Sequence, residues 1–287
     1  MPAKTAEPVS TASRVTATGV ALPPSQFLNP WQKPVFMLCL VCWAGLLVLG
    51  VLRIETSATE RWLEGLFLCF ATFSTLFGLA RRLPMQNVLA TAVLIALISS
   101  AVVSLASASG IPFGPIYYLG NFGNKLFNVL PLAAPFVWIF LIVNGRGIAR
   151  LIMRPWRKTN YYGFWVIGYT CLLAVVLDVA LEPFAVYVKE YWIWQTPKSV
   201  PAWYTAPWVN FLGWFITALA ILTFSMPWLI NKQPVKQPID YHPLVLWLML
   251  AAWISLGNAM HHLWPAVVVS VVANTVLAVF AIRGARW

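Results

Sequence analysis

Charge is what this chain lacks. Asp, Glu, Lys and Arg make up only 9% of its 287 residues, where a soluble domain carries about 25%. Histidine is almost as scarce, with only His242, His261 and His262 present. That is too few for the histidine-rich di-iron sites of membrane hydroxylases and desaturases, which excludes that class. Cysteine is limited to Cys39, Cys42, Cys69 and Cys171, all inside apolar runs. Cys39-x-x-Cys42 has no second pair to complete a metal or redox site, and it reads as small buried side chains. Neither a phosphate-binding loop nor a dinucleotide fingerprint is present. A membrane prenyltransferase needs two Asp-rich motifs for Mg²⁺, and Asp178-x-x-x-Glu182 is at best half of one.

What the chain has in abundance is apolar length. Hydrophobic residues are 60% of the total, and several runs reach the roughly 20 residues that cross a bilayer. NVLATAVLIALISSAVVSLASAS (87–109) carries no charge at all. The runs are uniform rather than alternating, which excludes a membrane β-barrel. The expected fold is all-α: a polytopic helix bundle of about eight transmembrane helices. The spans fall near 35–52, 62–80, 87–108, 129–146, 161–188, 207–230, 244–262 and 265–283. Residues 1–33, rich in Ala, Thr, Ser and Pro, read as a disordered tail before a transmembrane domain over 34–287. Residues 110–128 are too broken by Gly and Pro to span, so they form a loop or a re-entrant piece lying against protein.

The formal net charge of +11 points to orientation in the membrane and not to nucleic acid. Fourteen of the 19 Lys and Arg fall in the tail and the even-numbered loops. Both termini are therefore expected in the cytoplasm, in a multi-pass protein of the cell membrane.

The polar residues that remain gather at one end. Asp178 and Glu182 lie late in the fifth span, Glu64 opens the second, Asn210 begins the sixth, and His261 and His262 close the seventh. On this topology all of them face the outer rim. Positions 178 and 182 share a helix face. Like charges on one stripe repel, so the pair is expected to hold a proton, and a proton in an apolar cleft is a usable general acid. The other reading is a packing pair capped by Lys189, beside a backbone carbonyl freed by Pro183. Trp192, Trp194, Trp203, Tyr204 and Trp208 fit either an interfacial belt or the wall of an apolar pocket. His261 and His262, being adjacent, point to different faces and read as a helix end rather than a metal site.

Four segments occur in order: SGIPFGPIYYLGNFGNKLFNVLPLAAPFVWIF (109–140), DVALEP (178–183), WIW (192–194) and PWVNFLGW (207–214). As an ordered set they resemble the integral-membrane carotenoid biosynthesis family that includes bisanhydrobacterioruberin hydratase and the γ-carotene and lycopene 1,2-hydratases. The resemblance is good over about residues 85–215 and extends to the flanks only in hydropathy. Gly110 to Tyr117 match the family's Gly-x-Pro-Phe-Gly-x-x-Tyr. Asp178, Glu182 and Pro183 match Asp-x-x-x-Asp-Pro, with a longer carboxylate at the second position. Pro207, Asn210, Gly213 and Trp214 match Pro-x-x-Asn-x-x-Gly-Trp. Many relatives carry a Glu in the helix before the first element, where this chain has Val103 and Ser104. A Gly usually precedes the Pro of the last element, where Thr205 and Ala206 stand here.

The resemblance implies water addition to the terminal 1,2 double bond of an acyclic carotenoid end, a hydro-lyase reaction needing no cofactor and no metal. Asp178 and Glu182 would be the acid/base pair. Tyr117, Trp192, Trp194 and Trp214 would hold the end group and shield a cation, Asn210 would position water, and Glu64 at the same rim joins the substrate-binding set. The implied partners are a lipophilic polyene substrate and membrane lipid, with no nucleic acid. The departures carry the alternative: a non-catalytic membrane protein of the same fold that binds carotenoid or scaffolds a membrane complex.

Overall fold

The computed structural model describes residues 25–54, 58–230 and 239–287. Most of the expected tail, residues 1–24, lies outside the described residues. Eight helices follow in order: α1 (Ser25–Val51), α2 (Ala58–Ala80), α3 (Met85–Ser109), α4 (Ala133–Ile152), α5 (Tyr162–Pro183), α6 (Trp208–Leu229), α7 (His242–Met260) and α8 (Trp264–Ala285). All eight are long and apolar enough to cross a membrane. The expected helix bundle is what the chain forms.

Local chemistry sets the helix ends. Gly110 stops α3 in a left-handed conformation at φ 75°, which costs a Cβ-less residue nothing. Pro207 precedes α6, and α7 and α8 each carry a proline in their first turn, where a missing N–H is harmless. The centre of the bundle is α4. About 72% of its span is buried, against 22% for α1, and it packs against α2, α3, α5, α7 and α8. Its position corrects the sequence reading by several residues. A span ending near residue 146 counted Arg146 and Arg150 among the loop charges, but both belong to the last turns of α4. Charge marks a loop only where it is solvated, and Arg146 is folded into the bundle.

Six short strands pair as three antiparallel ribbons: β1 (Ile116–Tyr118) with β4 (Trp192–Trp194), β2 (Lys125–Leu126) with β3 (Leu130–Pro131), and β5 (Ala202–Trp203) with β6 (Ala206–Pro207). All three lie in the α3–α4 and α5–α6 connections. The segment expected as a re-entrant or loop piece thus packs as ribbon against the bundle end. Hydrogen bonding explains why: backbone polar groups near lipid must be satisfied within the protein.

The two ends of the bundle differ in kind. One holds the ribbons and the carboxylates of α2 and α5. The other holds Arg81 and Arg82, just past the end of α2, and the arginines of α4. Both the start of α1 and the end of α8 belong to the arginine end: Gln32 accepts from Arg81 at 3.3 Å, and Gly284 packs against the carbonyls of Leu151 and Ile152.

Candidate functional site

The site begins with a flaw in α5. Pro183 has no N–H to give to the carbonyl of Val179, and the next residue, Phe184, bonds to Leu181, so the carbonyl of Ala180 is also released. The helix then widens into a π-turn over Phe184–Val188, a distortion common at functional sites. The indole N–H of Trp203 takes the Val179 carbonyl at 2.9 Å, and the amide of Asn258 on α7 takes that of Ala180 at 2.9 Å. Both freed acceptors are satisfied from outside the helix, and Asp178 is not involved in either.

On the opposite face the two carboxyl groups meet α6. Asp178 and Glu182 are buried, at 0% and 2% exposure. Asn210, in the first turn of α6, donates from Nδ2 to Asp178 Oδ2 at 2.7 Å and to Glu182 Oε1 at 2.9 Å. Its amide thus bridges the pair. The other oxygen of Glu182, Oε2, accepts the indole N–H of Trp194 at 2.9 Å and that of Trp192 at 3.2 Å. Glu182 is therefore surrounded by three N–H donors. Asp178 has one, and its Oδ1 is buried with no donor at all.

The indoles arrive through strand pairing. In the β1–β4 ribbon, Tyr118 pairs with Trp192, Tyr117 with Ile193 and Ile116 with Trp194. Alternation then sorts the side chains. Tyr118 and Trp192 turn inward, while Tyr117 is 53% exposed and Ile193 42%. Tyr117 thus faces away from the carboxylates, with the Lys125 ammonium 4.8 Å from its ring. Its neighbour Tyr118 takes the inner place. Burial, reinforced by the Glu182 and Asp178 carboxylates, pushes the Tyr118 phenol well above its usual range.

Under this ribbon lies a cavity of about 240 Å³. Glu182, Asn210 and Trp192 are among its polar lining, with Arg61 and Asn121, whereas Asp178, joined to Glu182 through Asn210, does not line it. Trp214, one turn past Asn210 on α6, stacks on Trp138 with centroids 4.9 Å apart, and both line the cavity. Gly213 lets α6 approach closely, since a Cβ there would meet Phe113 at 2.7 Å and the Pro112 carbonyl at 2.9 Å. Val103 also lines the cavity. His261 and His262 end α7 at this rim but contribute nothing to the lining.

Glu64 lines the same cavity from α2, in a second polar cluster that sequence reasoning missed. Lys189 forms ion pairs with Glu60 and with Glu64, the latter at 2.8 Å, and all three are largely buried. Tyr191 donates its hydroxyl to Glu64 Oε2 at 2.9 Å. Burial, then Glu64 and Glu60, pushes this phenol well up. Lys189 therefore serves the α2 acids and does not cap the α5 pair. The missed signal was the spacing: Glu60 and Glu64 are four apart, as Asp178 and Glu182 are.

Among the described residues no three His, Cys, Asp or Glu side chains are placed to hold a metal ion, and Cys39 and Cys42 are free thiols buried on α1. The arrangement can hold and pass a proton next to an apolar, tryptophan-walled space. No curated protein and no solved structure matches the chain. A family model described as carotenoid biosynthesis protein matches residues 62–279, a range that holds every cavity-lining residue except Arg61. The chain belongs to the carotenoid biosynthesis protein family.

Proposed function

We propose that the protein is a carotenoid 1,2-hydratase of the cell membrane, with both termini cytoplasmic and the carboxylate end outward. It adds water to the terminal double bond of an acyclic carotenoid. The observation that carries this reading is the asymmetry of the buried pair. Glu182 lines the cavity with three N–H donors on its oxygens, while Asp178 does not line it and has one oxygen lacking any donor. A buried acceptor without a donor is costly, and one proton shared between the two carboxyls removes that cost.

The chemistry follows from the positions. The trisubstituted alkene is a weak base and needs a strong acid in contact. The shared proton crosses from Asp178 to Glu182, and Glu182 delivers it to C2. The π electrons form the new C–H bond and leave a tertiary cation at C1. Trp138 and Trp214 line the same cavity, and in this reading their ring quadrupoles stabilise the positive charge. Water attacks C1, and its surplus proton returns to the carboxylate of Glu182. The pair ends as it began, and the sum is alkene plus water to tertiary alcohol. Trp192, Trp194 and Asn210 hold Glu182 in place, and the rest of the polyene leaves the cavity between helices.

The test uses cells that accumulate an acyclic carotene. Asp178→Asn and Glu182→Gln should each abolish the hydroxylated product, and growth in D₂O should place deuterium at C2 in the parent. Full product from both variants refutes the assignment. A second reading rests on Val103. It lines the cavity where many relatives carry a Glu in this helix, so the wall lacks that acid. A carotenoid-binding or scaffolding protein would co-purify with unchanged pigment and yield no alcohol in the same cells.

A further inference from the structure

Among the described residues, the arginine end of the bundle carries several guanidinium groups and a single acid, Asp240. Arg146, Arg150 and Arg154 follow one another at intervals of four. The first two lie on the last turns of α4, and the third opens a short 3₁₀ turn, Arg154–Trp156. The four-residue step puts Arg146 and Arg150 on one side of α4, and Arg154 follows just past the helix end. Arg82, just past the end of α2, lies within electrostatic reach of all three. It is ion-paired with Asp240 at 3.2 Å. Asp240 is the one acid at this end among the described residues, since Glu60, Glu64, Asp178, Glu182 and Glu190 belong to the other.

Arg146 is the anomaly. It is 8% exposed, and its Nη2 closes the end of α6 by donating to the Leu229 carbonyl at 2.7 Å. Its Nε is buried with no partner, and so is the Nε of Arg154. A buried donor left empty costs about 1–3 kcal/mol, and more when charged. Orientation in the membrane asks only for basic residues in loops. Arg157 and Lys158, which are exposed, meet that need. It does not explain guanidinium groups folded into the bundle with N–H groups unspent.

We propose that the Arg146–Arg150–Arg154 series, together with Arg82, is a binding site for the phosphate group of an anionic membrane lipid. A guanidinium presents its N–H groups as a fork that fits phosphate oxygens. The site lies at the end of the apolar spans, where headgroups sit. Beside it Trp156, Phe164 and Trp165 are 52%, 74% and 56% exposed. These form an aromatic flank suited to the interface and to an acyl chain. That flank favours a lipid over a free phosphate, which would gain nothing from it.

The experiment takes the delipidated full chain in a neutral detergent and adds phosphatidylglycerol, phosphatidylcholine or inorganic pyrophosphate. Thermal unfolding and native mass spectrometry are the readouts. Phosphatidylglycerol should raise Tm by several degrees and remain bound in the mass spectrum, and phosphatidylcholine should do neither. Arg154→Gln should weaken phosphatidylglycerol binding by about tenfold. Arg146→Lys keeps the charge but loses the fork, and should weaken it as well. The double variant Arg157→Gln, Lys158→Gln should bind as the parent does. An Arg154-dependent rise with pyrophosphate and none with lipid assigns the site to a soluble phosphate ester and overturns the lipid source. Equal rises with both lipids overturn the site. So does a phosphatidylglycerol effect that survives both arginine variants, or one lost only in the exposed pair.

Discussion

Trp194 donates its indole N–H to Oε2 of Glu182 at 2.9 Å, across twelve residues of chain. The bond joins a ribbon strand to a helix and aims the carboxylate that faces the cavity. A hydrogen bond to a charged group contributes about 1.5–3 kcal/mol. Trp194→Phe keeps most of the ring and removes the N–H. The expected outcome is a drop of about 10- to 100-fold in the rate of alcohol formation, measured in proteoliposomes loaded with acyclic carotene. An unchanged rate would separate Trp194 from the chemistry.

Asn210 spans both carboxyl groups with one amide. Asn210→Leu leaves two buried acids without that bridge. Stability should fall by about 1–3 kcal/mol, read as a lower Tm in detergent, and product should disappear. Asn210→Asp adds a third acid and should be worse than leucine on both counts.

Lys189 stands between Glu60 and Glu64 in a buried setting. Lys189→Met leaves those two acids facing each other, and breaking a buried pair in this way costs about 3–5 kcal/mol. Thermal unfolding should show the loss, and Glu60→Gln added to Lys189→Met should recover part of it. Recovery of nothing would mean that the lysine acts by packing alone.

Gly213 admits the Gly110–Gly114 turn, Gly-Ile-Pro-Phe-Gly, against α6. Gly213→Val places methyl groups where Phe113 and the Pro112 carbonyl already lie. Overpacking of this kind costs about 1–3 kcal/mol. Because Phe113 and Trp214 both line the cavity, product yield should fall along with Tm.

The phenol of Tyr118 is raised by burial and by the Glu182 and Asp178 carboxylates. A group whose folded-state value lies above its unfolded value of about 10 favours folding fully below that pH. The advantage is lost as the pH climbs past it. Stability should be flat in this respect up to about pH 10 and should decline above it. Melting curves between neutral and strongly alkaline pH should show a shallower alkaline decline for Tyr118→Phe than for the parent.

The eight spans and the carboxyl pair were legible because both rest on local physics. Apolar length reports a span, and an acid inside one is expensive enough to stand out. Trp192, Trp194, Asn210 and Trp214 were legible as a group through the ordered segments that carry them. What failed was phase and pairing. Tyr117 and Tyr118 are adjacent, and which one turns inward depends on the register of a strand more than 70 residues away. Lys189 meets Glu60 across 129 residues, so proximity in sequence pointed to the wrong acids. Arg146 and Arg150 were read as loop because charge and burial are rarely found together. Their place in α4 depends on partners that no window of sequence contains.

Pro183 leaves α5 with two carbonyls that the helix itself does not use, and Trp203 and Asn258 hold them from a ribbon and from α7. Neither residue touches the cavity. Yet together they clamp the short stretch of backbone from which both acidic side chains project, as two guy-lines steady a mast. Variation confined to the pocket wall would leave those anchors untouched. A change of substrate preference could instead be reached by loosening one of them, turning the acid a few degrees without altering any surface that the polyene meets.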